Sequence, residues 1–336
     1  MLLVADTHLG FDLPLHPRVE RRRRGHDFLA NLDRALQPAL AGEVDLVVHG
    51  GDLFDRSKAP AALVELAMAP LVKVAEAGIP VYLVPGNHER SNIPPHLWTA
   101  HPNFHIFDRP RTFLYSGPKG TLALSGFPFV RKVRDVLPKL VDETGFRERS
   151  DVPRVLCMHQ TVEGAQVGVS NFTFRSGPDV VTGRDLPGGF SAVLAGHIHR
   201  AQVLTYDLHR RRLAAPVVYP GSVERTSFVE REETKGYTII TLDALRHKGV
   251  PLTDVSFVPL PVRPMVCLSL ETEEAGGEAL KRQLVSRLRS LDPNSVVRVQ
   301  VRGPLAAQAF GLLSAETLRA IAPPSMNVEL AVPWRT

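Results

Sequence analysis

The stretch VDLVVHGGDLFDR, residues 44–56, decides how this chain folds. An apolar run through Leu46, Val47 and Val48 ends at the glycines Gly50 and Gly51, and two carboxylates follow, Asp52 and Asp55. A short apolar run closed by glycine reads as a buried strand, so Asp52 sits just past a strand end. The same unit recurs on both sides. Leu2–Ala5 is an apolar run that opens into ADTHLG, and IPVYLVPG, residues 79–86, opens into NHER. Phe28, Leu32, Leu36 and Leu40 recur at four-residue spacing between the first two runs, the mark of an amphipathic helix. Residues 61–77 carry a second helical pattern, which Pro70 is expected to bend or split. Strand, helix, strand, helix, strand implies right-handed crossovers and a largely parallel sheet with helices on its faces.

The middle of the chain is richer in strands. RTFLYSGPKGTLALSG, residues 111–126, reads as two strands about a Gly-Pro-Lys-Gly turn. PRVLCMHQ (153–160), FSAVLAGHIH (190–199), AQVLTYDL (201–208), APVVYPGS (215–222) and GYTIITLD (236–243) are further short strands. This many strands fits a two-sheet, three-layer α/β sandwich better than one open sheet. Residues 1–247 form that domain. Residues 248–262 are proline-rich without helical period and read as an extended connector. Residues 263–336 form a small α+β domain. In it Val266, Leu268 and Leu270, then Val297, Val299 and Val301, then Val328, Leu330 and Val332 alternate as half-buried strands, and Leu280, Leu284, Leu288 and Leu291 mark a helix.

Composition narrows the function. With 44% hydrophobic and 22% charged residues among 336, the chain is globular rather than disordered. It has no apolar run long enough to span a membrane. Asp6 and His8 follow Met1 too closely for a signal peptide, and Cys157 and Cys267, both in apolar strand-like runs, read as buried free thiols. A cytoplasmic location is expected. The net charge of +5 leans toward a polyanionic partner. Arg21–Arg24 reads either as a phosphate-contacting patch or as the solvated first turn of a helix, and Arg131, Lys132 and Arg134 make a second basic cluster.

Metal-binding residue types stand just past strand ends again and again: Asp6 and His8, Asp52, Asn87, His159, then His197 and His199. In open parallel sheets ligands bind at the carboxyl ends of strands, so chain order alone brings these segments to one edge. Seven donors exceed the needs of one ion, whereas two ions sharing a carboxylate would use them all. Asp52, after the central strand, is the natural bridge. A set of imidazoles and oxygens without cysteine suits Mn²⁺, Fe²⁺, Zn²⁺ or a similar ion, and argues against a sulfur-rich structural zinc site. Gly51, Gly86 and Gly196 stand next to these donors, where the backbone must turn sharply. His49, His96, His101 and His105 are expected to be ordinary core or surface histidines.

Asp-x-His at 6–8, Gly-Asp-x-x-Asp at 51–55, Gly-Asn-His-Glu at 86–89, His159 and Gly-His-x-His at 196–199 resemble the calcineurin-like metallophosphoesterases. ADTHLG, GDLFD, MHQ, GHIH and YPGSVERTSF are most similar to the SbcD-type DNA repair nucleases. The resemblance covers residues 1 to about 245; beyond that it is one of architecture. It implies an αββα sandwich of three or four layers with a small C-terminal α+β cap. It assigns Asp6, His8, Asp52 and His199 to one divalent ion, and Asp52, Asn87, His159 and His197 to the other. A hydroxide bridging the ions would attack a phosphodiester in line. His88 would act on the leaving group or the transition state, and Asp55 would orient a histidine. DNA is the implied substrate, and a homodimer and a coiled-coil ATPase partner are implied as well. Nothing up to Thr336 reads as the helices that hold such an ATPase, which weighs against that partner. Two other functions compete: a phosphodiesterase for small diesters such as cyclic nucleotides, and a DNA-binding scaffold with a degenerate site, which the complete donor set disfavours.

Overall fold

A computed structural model describes residues 1–14, 21–89, 101–242, 254–271, 277–303 and 311–331. Two six-stranded sheets lie face to face. The first runs, in spatial order, Asp254–Pro259, Gly236–Thr241, Leu2–Val4, Val47–His49, Val81–Leu83, Phe104–Ile106. Its last four strands are parallel, and the Gly236–Thr241 and Asp254–Pro259 strands join antiparallel. The second runs Gln202–Tyr206, Arg212–Tyr219, Ala192–Gly196, Arg154–His159, Gly120–Gly126, Arg111–Gly117, with its four inner strands parallel.

Alternation along each strand sorts side chains into layers. Leu3, Val48, Tyr82, Val155, Cys157 and Leu194 meet in the core between the sheets. Leu2, Val4, Val47 and Val81 turn the other way, onto helices Gly25–Ala35 and Ala61–Glu76. Leu156, Met158, Val193 and Ala195 pack outward with Val133, Leu137 and Val141 of helix Val133–Glu143. The result is four layers, helix–sheet–sheet–helix, as the αββα reading anticipates.

Four local expectations need correction. Helix Ala61–Glu76 is continuous through Pro70, so the proline does not split it. The carbonyl that Pro70 deprives of its partner belongs to Leu66, which is exposed and open to water. The pattern over residues 28–40 is two helices, Gly25–Ala35 and Gln37–Leu40, because Pro38 starts a new first turn. Asp254–Pro259 lies inside the expected connector but is an edge strand, paired from Gly236↔Pro259 to Thr241↔Asp254; its closing proline is tolerated at an edge. Both cysteines are free, yet only Cys157 is buried. Cys267 lies on the outer side of its strand, while its neighbours Leu268 and Leu270 point into the cap core.

The cap is a parallel three-stranded sheet, Met265–Glu271, Val296–Arg302 and Asn327–Leu330, backed by helices Gly277–Arg289 and Ala315–Ile321. Arg263 is buried at the seam. It donates to Asp27 Oδ2 at 3.1 Å on the first domain and to Asn327 Oδ1 at 2.6 Å on the cap. Val332 and the other residues from 332 onward lie outside the described residues. No helix among the described residues is long and apolar enough to cross a membrane.

Candidate metal centre

The loops that follow the parallel strands meet at one edge, and their backbones pair there. Asp6 N–H donates to Gly51 O at 2.9 Å, His8 N–H to Asp52 O at 3.0 Å and Leu9 N–H to Leu53 O at 2.8 Å. Four donor residues take left-handed backbone conformations: Asp6 (φ 51°), His8 (φ 42°), Asp52 (φ 51°) and His197 (φ 89°). Each costs on the order of 1 kcal/mol, and such strain gathers where surrounding structure enforces a functional geometry.

The seven expected donors are all brought together, in two groups around one carboxylate. Asn87 Oδ1 is 3.1 Å from His159 Nε2 and 2.8 Å from His197 Nδ1, and those two nitrogens are 3.2 Å apart. Asp52 Oδ2 is 3.4 Å from His159 Nε2. On the other side it is 4.0 Å from His8 Nε2, which lies 3.0 Å from His199 Nε2. The donor atoms of Asp6, His8 and His199 fall within 4.8 Å of one another, as do those of Asp52, His159 and His197. Asp6 also accepts the His197 N–H, at 3.0 Å and 3.1 Å to its two oxygens.

These residues suit divalent cations. His159 Nδ1–H donates to Gly50 O at 2.8 Å, and His199 Nδ1–H to Glu230 Oε1 at 3.2 Å. Both bonds select the tautomer with an unprotonated Nε2 turned inward. Imidazole lone pairs and carboxylates aimed at a common point repel one another until a cation lies between them. His8 lacks such support: its Nδ1 is buried without a hydrogen-bond partner among the described residues.

Burial opposes charge throughout the site. It raises the Asp6 carboxyl to about 6 and lowers the His197 imidazole to about 3, the latter helped by neighbouring His159. Burial also works against Asp52 ionisation, but His159, His8 and His88 outweigh it and hold that carboxyl below the usual range. His159 goes the other way. Burial would lower it, yet Asp52 and then Asp6 lift it to about 9.

His88 stands on the open side. Its N–H donates to Asp52 Oδ1 at 2.9 Å, and its Nδ1–H to the Asp55 carbonyl at 2.5 Å. Nε2 is left 3.8 Å from Asp52 Oδ2, and 34% of the side chain is exposed. Asp55 therefore reaches His88 through its backbone oxygen; its carboxylate lies 3.6 Å from Arg56, and within 4.8 Å of donor atoms on His8 and His88. His49 is a satisfied core histidine, bonded to Thr7 Oγ1 at 3.1 Å and to Gly51 N–H at 3.2 Å. His105 stacks on Tyr82, and His101 accepts from Asn103 N–H. His96 lies outside the described residues.

Three supporting residues escape a sequence reading. Glu89 accepts the N–H groups of Asp52, Phe54 and Gly86 at 3.0, 2.9 and 2.6 Å, tying two ligand loops together. Burial, then Asp52, raise its carboxyl to about 7. Lys235 is fully buried, 2.6 Å from Glu230 and 2.9 Å from the His199 carbonyl. Lys235 thus fixes Glu230, and Glu230 fixes His199. Glu89 had a signal, as the last residue of the Gly-Asn-His-Glu stretch; Glu230 and Lys235 had none.

A two-sheet αββα sandwich with paired donor sets at one edge defines a dinuclear phosphoesterase class, and residues 1–201 match the calcineurin-like phosphoesterase family, to which the chain belongs. Its relatives are more particular. A protein named DNA double-strand break repair protein Mre11 from Methanosarcina mazei is 30% identical over 312 residues, which is 90% of this chain and 45% of that protein. The protein of the same name from Haloferax volcanii is 30% identical, covering 91% of this chain and 63% of its own length. That from Saccharolobus solfataricus is 23% identical, covering 90% and 75%. The chain thus spans about half the length of the Methanosarcina relative. Among solved structures, a dimetal phosphatase from Danio rerio overlays 76% of this chain and 96% of its own at a TM-score of 0.43 and 12% identity.

Proposed function

We propose that this chain is a two-metal phosphodiesterase that cuts DNA in repair, with Mn²⁺ as its ion. One observation carries the reading: the single oxygen Asp52 Oδ2 faces both donor groups, 4.0 Å from His8 and 3.4 Å from His159. Asp6, His8, Asp52 and His199 would hold one ion, and Asp52, Asn87, His159 and His197 the other. When bound, such ions would supply Lewis acidity that activates a water for attack on a phosphodiester and offsets charge on the phosphoryl oxygens.

The protein's own groups do the rest. Gly50 O and Glu230 hold the His159 and His199 rings with Nε2 inward. Glu89 fixes the backbone that carries Asp52. His88, clamped by the Asp55 carbonyl, presents Nε2 on the open side; in its protonated form it would donate to the leaving oxygen or steady a phosphoryl oxygen. Support for DNA as substrate comes from the names of the relatives and from the net charge of +5. The test is Mn²⁺-dependent degradation of labelled single- and double-stranded DNA, run beside a small chromogenic diester. DNA should be degraded; intact DNA beside rapid turnover of the small diester would move the substrate to the small-diester class.

A further inference from the structure

The four arginines 21–24 enter the seam between the two domains and divide into two pairs. Arg22 is committed to Asp27 at 2.6 Å and to Asn294 Oδ1 at 3.1 Å. Arg24 donates to the Arg225 carbonyl and stacks over Phe11 at 5.0 Å. Arg21 and Arg23, with part of Arg24, line a cavity of about 330 Å³, whose opposite wall includes Arg319 and Asn327.

Positive charge exceeds negative there: Arg21, Arg23, Arg24 and Arg319 face Asp12 and Glu329. Arg21 Nε and Nη2 and Arg23 Nε are buried and have no hydrogen-bond partner among the described residues. Among the described residues Arg319 forms no ion pair with the nearby carboxylates Asp12, Asp27 and Glu329, which pair with Arg23, Arg22 and Arg298. The two carboxylates on the wall are already engaged: Asp12 by Arg23 at 3.4 Å and the Arg24 N–H at 3.0 Å, and Glu329 by Arg298 at 2.6 Å. Burial lowers the Arg21 guanidinium, and the next causes are its neighbours Arg319, Arg23 and Arg263, all cationic. Buried guanidinium N–H groups without acceptors are costly, and a planar fork matches a phosphate's paired oxygens.

The cavity is also near the metal centre along the chain. Asp12 lies four residues past His8, so at ~3.6 Å per extended residue their Cα atoms are within about 14 Å. We propose that this cavity holds a backbone phosphate of the DNA strand, clamped between Arg21 of the first domain and Arg319 of the cap. The inference rests on the nuclease reading above, and it gives the cap a direct part in gripping substrate.

The test is equilibrium binding of labelled duplex DNA, in EDTA to prevent cleavage, across a series of salt concentrations. Arg21→Gln with Arg319→Gln should weaken binding about three- to tenfold and lower the slope of log K against log salt by about one. Arg21→Lys with Arg319→Lys should restore the slope. An unchanged melting temperature establishes that the double variant folds. Should it not fold, Arg319→Gln alone, on the exposed face of helix Ala315–Ile321, should still lower affinity and slope. Equal affinity and slope in folded variant and unaltered chain would overturn the site. Thermal protection by inorganic phosphate that the variant loses, with no change in the DNA slope, would assign the cavity to free phosphate and overturn the DNA assignment. Mn²⁺-dependent DNA cleavage by the unaltered chain tests the nuclease reading separately.

Discussion

Asp52 joins several demands in one residue. Its backbone is left-handed, its N–H is held by Glu89, its Oδ1 takes the His88 N–H, and its Oδ2 faces His8 and His159. His88 shares that carboxylate but lies on the open side, so the two residues should separate in function. Asp52→Ala should lose both bound metal and activity, whereas His88→Ala should keep its metal and lose about 10²–10⁴-fold in turnover, as removal of a general acid does. Metal analysis beside steady-state kinetics checks both. A His88→Ala variant as active as the unaltered chain would remove His88 from the chemistry. His159 sets the pH dependence of loading. Its imidazole, lifted to about 9 without metal, must give up a proton when an ion binds. Affinity should therefore rise about tenfold per pH unit while pH stays below that value, and level off above it. Mn²⁺ calorimetry in buffers of different ionisation enthalpy reads the released proton directly; no proton release near neutrality would contradict it.

At the scale of strands and loops, each donor hangs from a strand end whose packing allows no slack. A Cβ at Gly86 would collide with the Asp52 carboxylate and its backbone nitrogen. Gly86→Ala should thus weaken Mn²⁺ binding about 10- to 100-fold, the usual cost of disturbing a ligand's support, with the fold preserved by circular dichroism. Unaltered affinity would show that the loop has more freedom than the contact implies. The same elements explain what could be read in the sequence. Val47–His49 and Ala192–Gly196 are buried on both faces, so they appear as unbroken apolar runs, and the donors follow at fixed offsets. Asp254–Pro259 was hidden because an edge strand needs little apolar character, and none of its residues is fully buried. The support for His199 was hidden for another reason. Glu230 and Lys235 come from a short 3₁₀ turn and the residue just before a strand, segments without periodicity, and their link to His199 exists only in three dimensions.

Over the whole molecule, a buried cation ties the two-sheet sandwich to the three-stranded sheet. Arg263 reaches Asp27 on one side and, on the other, Asn327 Oδ1 and the carbonyls of Asn294 and Ser325 at 2.5 Å each. Removing it leaves the nearly buried Asp27 with Arg22 alone and strips Asn327 Oδ1 and two carbonyls of their donor. Arg263→Ala should cost about 3 kcal/mol and loosen the cap before the sandwich unfolds. Urea denaturation with limited proteolysis of the seam checks this; a single unshifted transition would mean the cap is held by other contacts. If the cap grips DNA through Arg319, this variant should also weaken DNA binding without altering metal content. The central claim concerns the edge where the loops meet, and crystals grown with Mn²⁺ address it directly. An anomalous difference map should show two peaks flanking the Asp52 carboxylate, one reached by His8 and His199 and the other by Asn87, His159 and His197. A single peak, or peaks away from Asp52, would contradict the account.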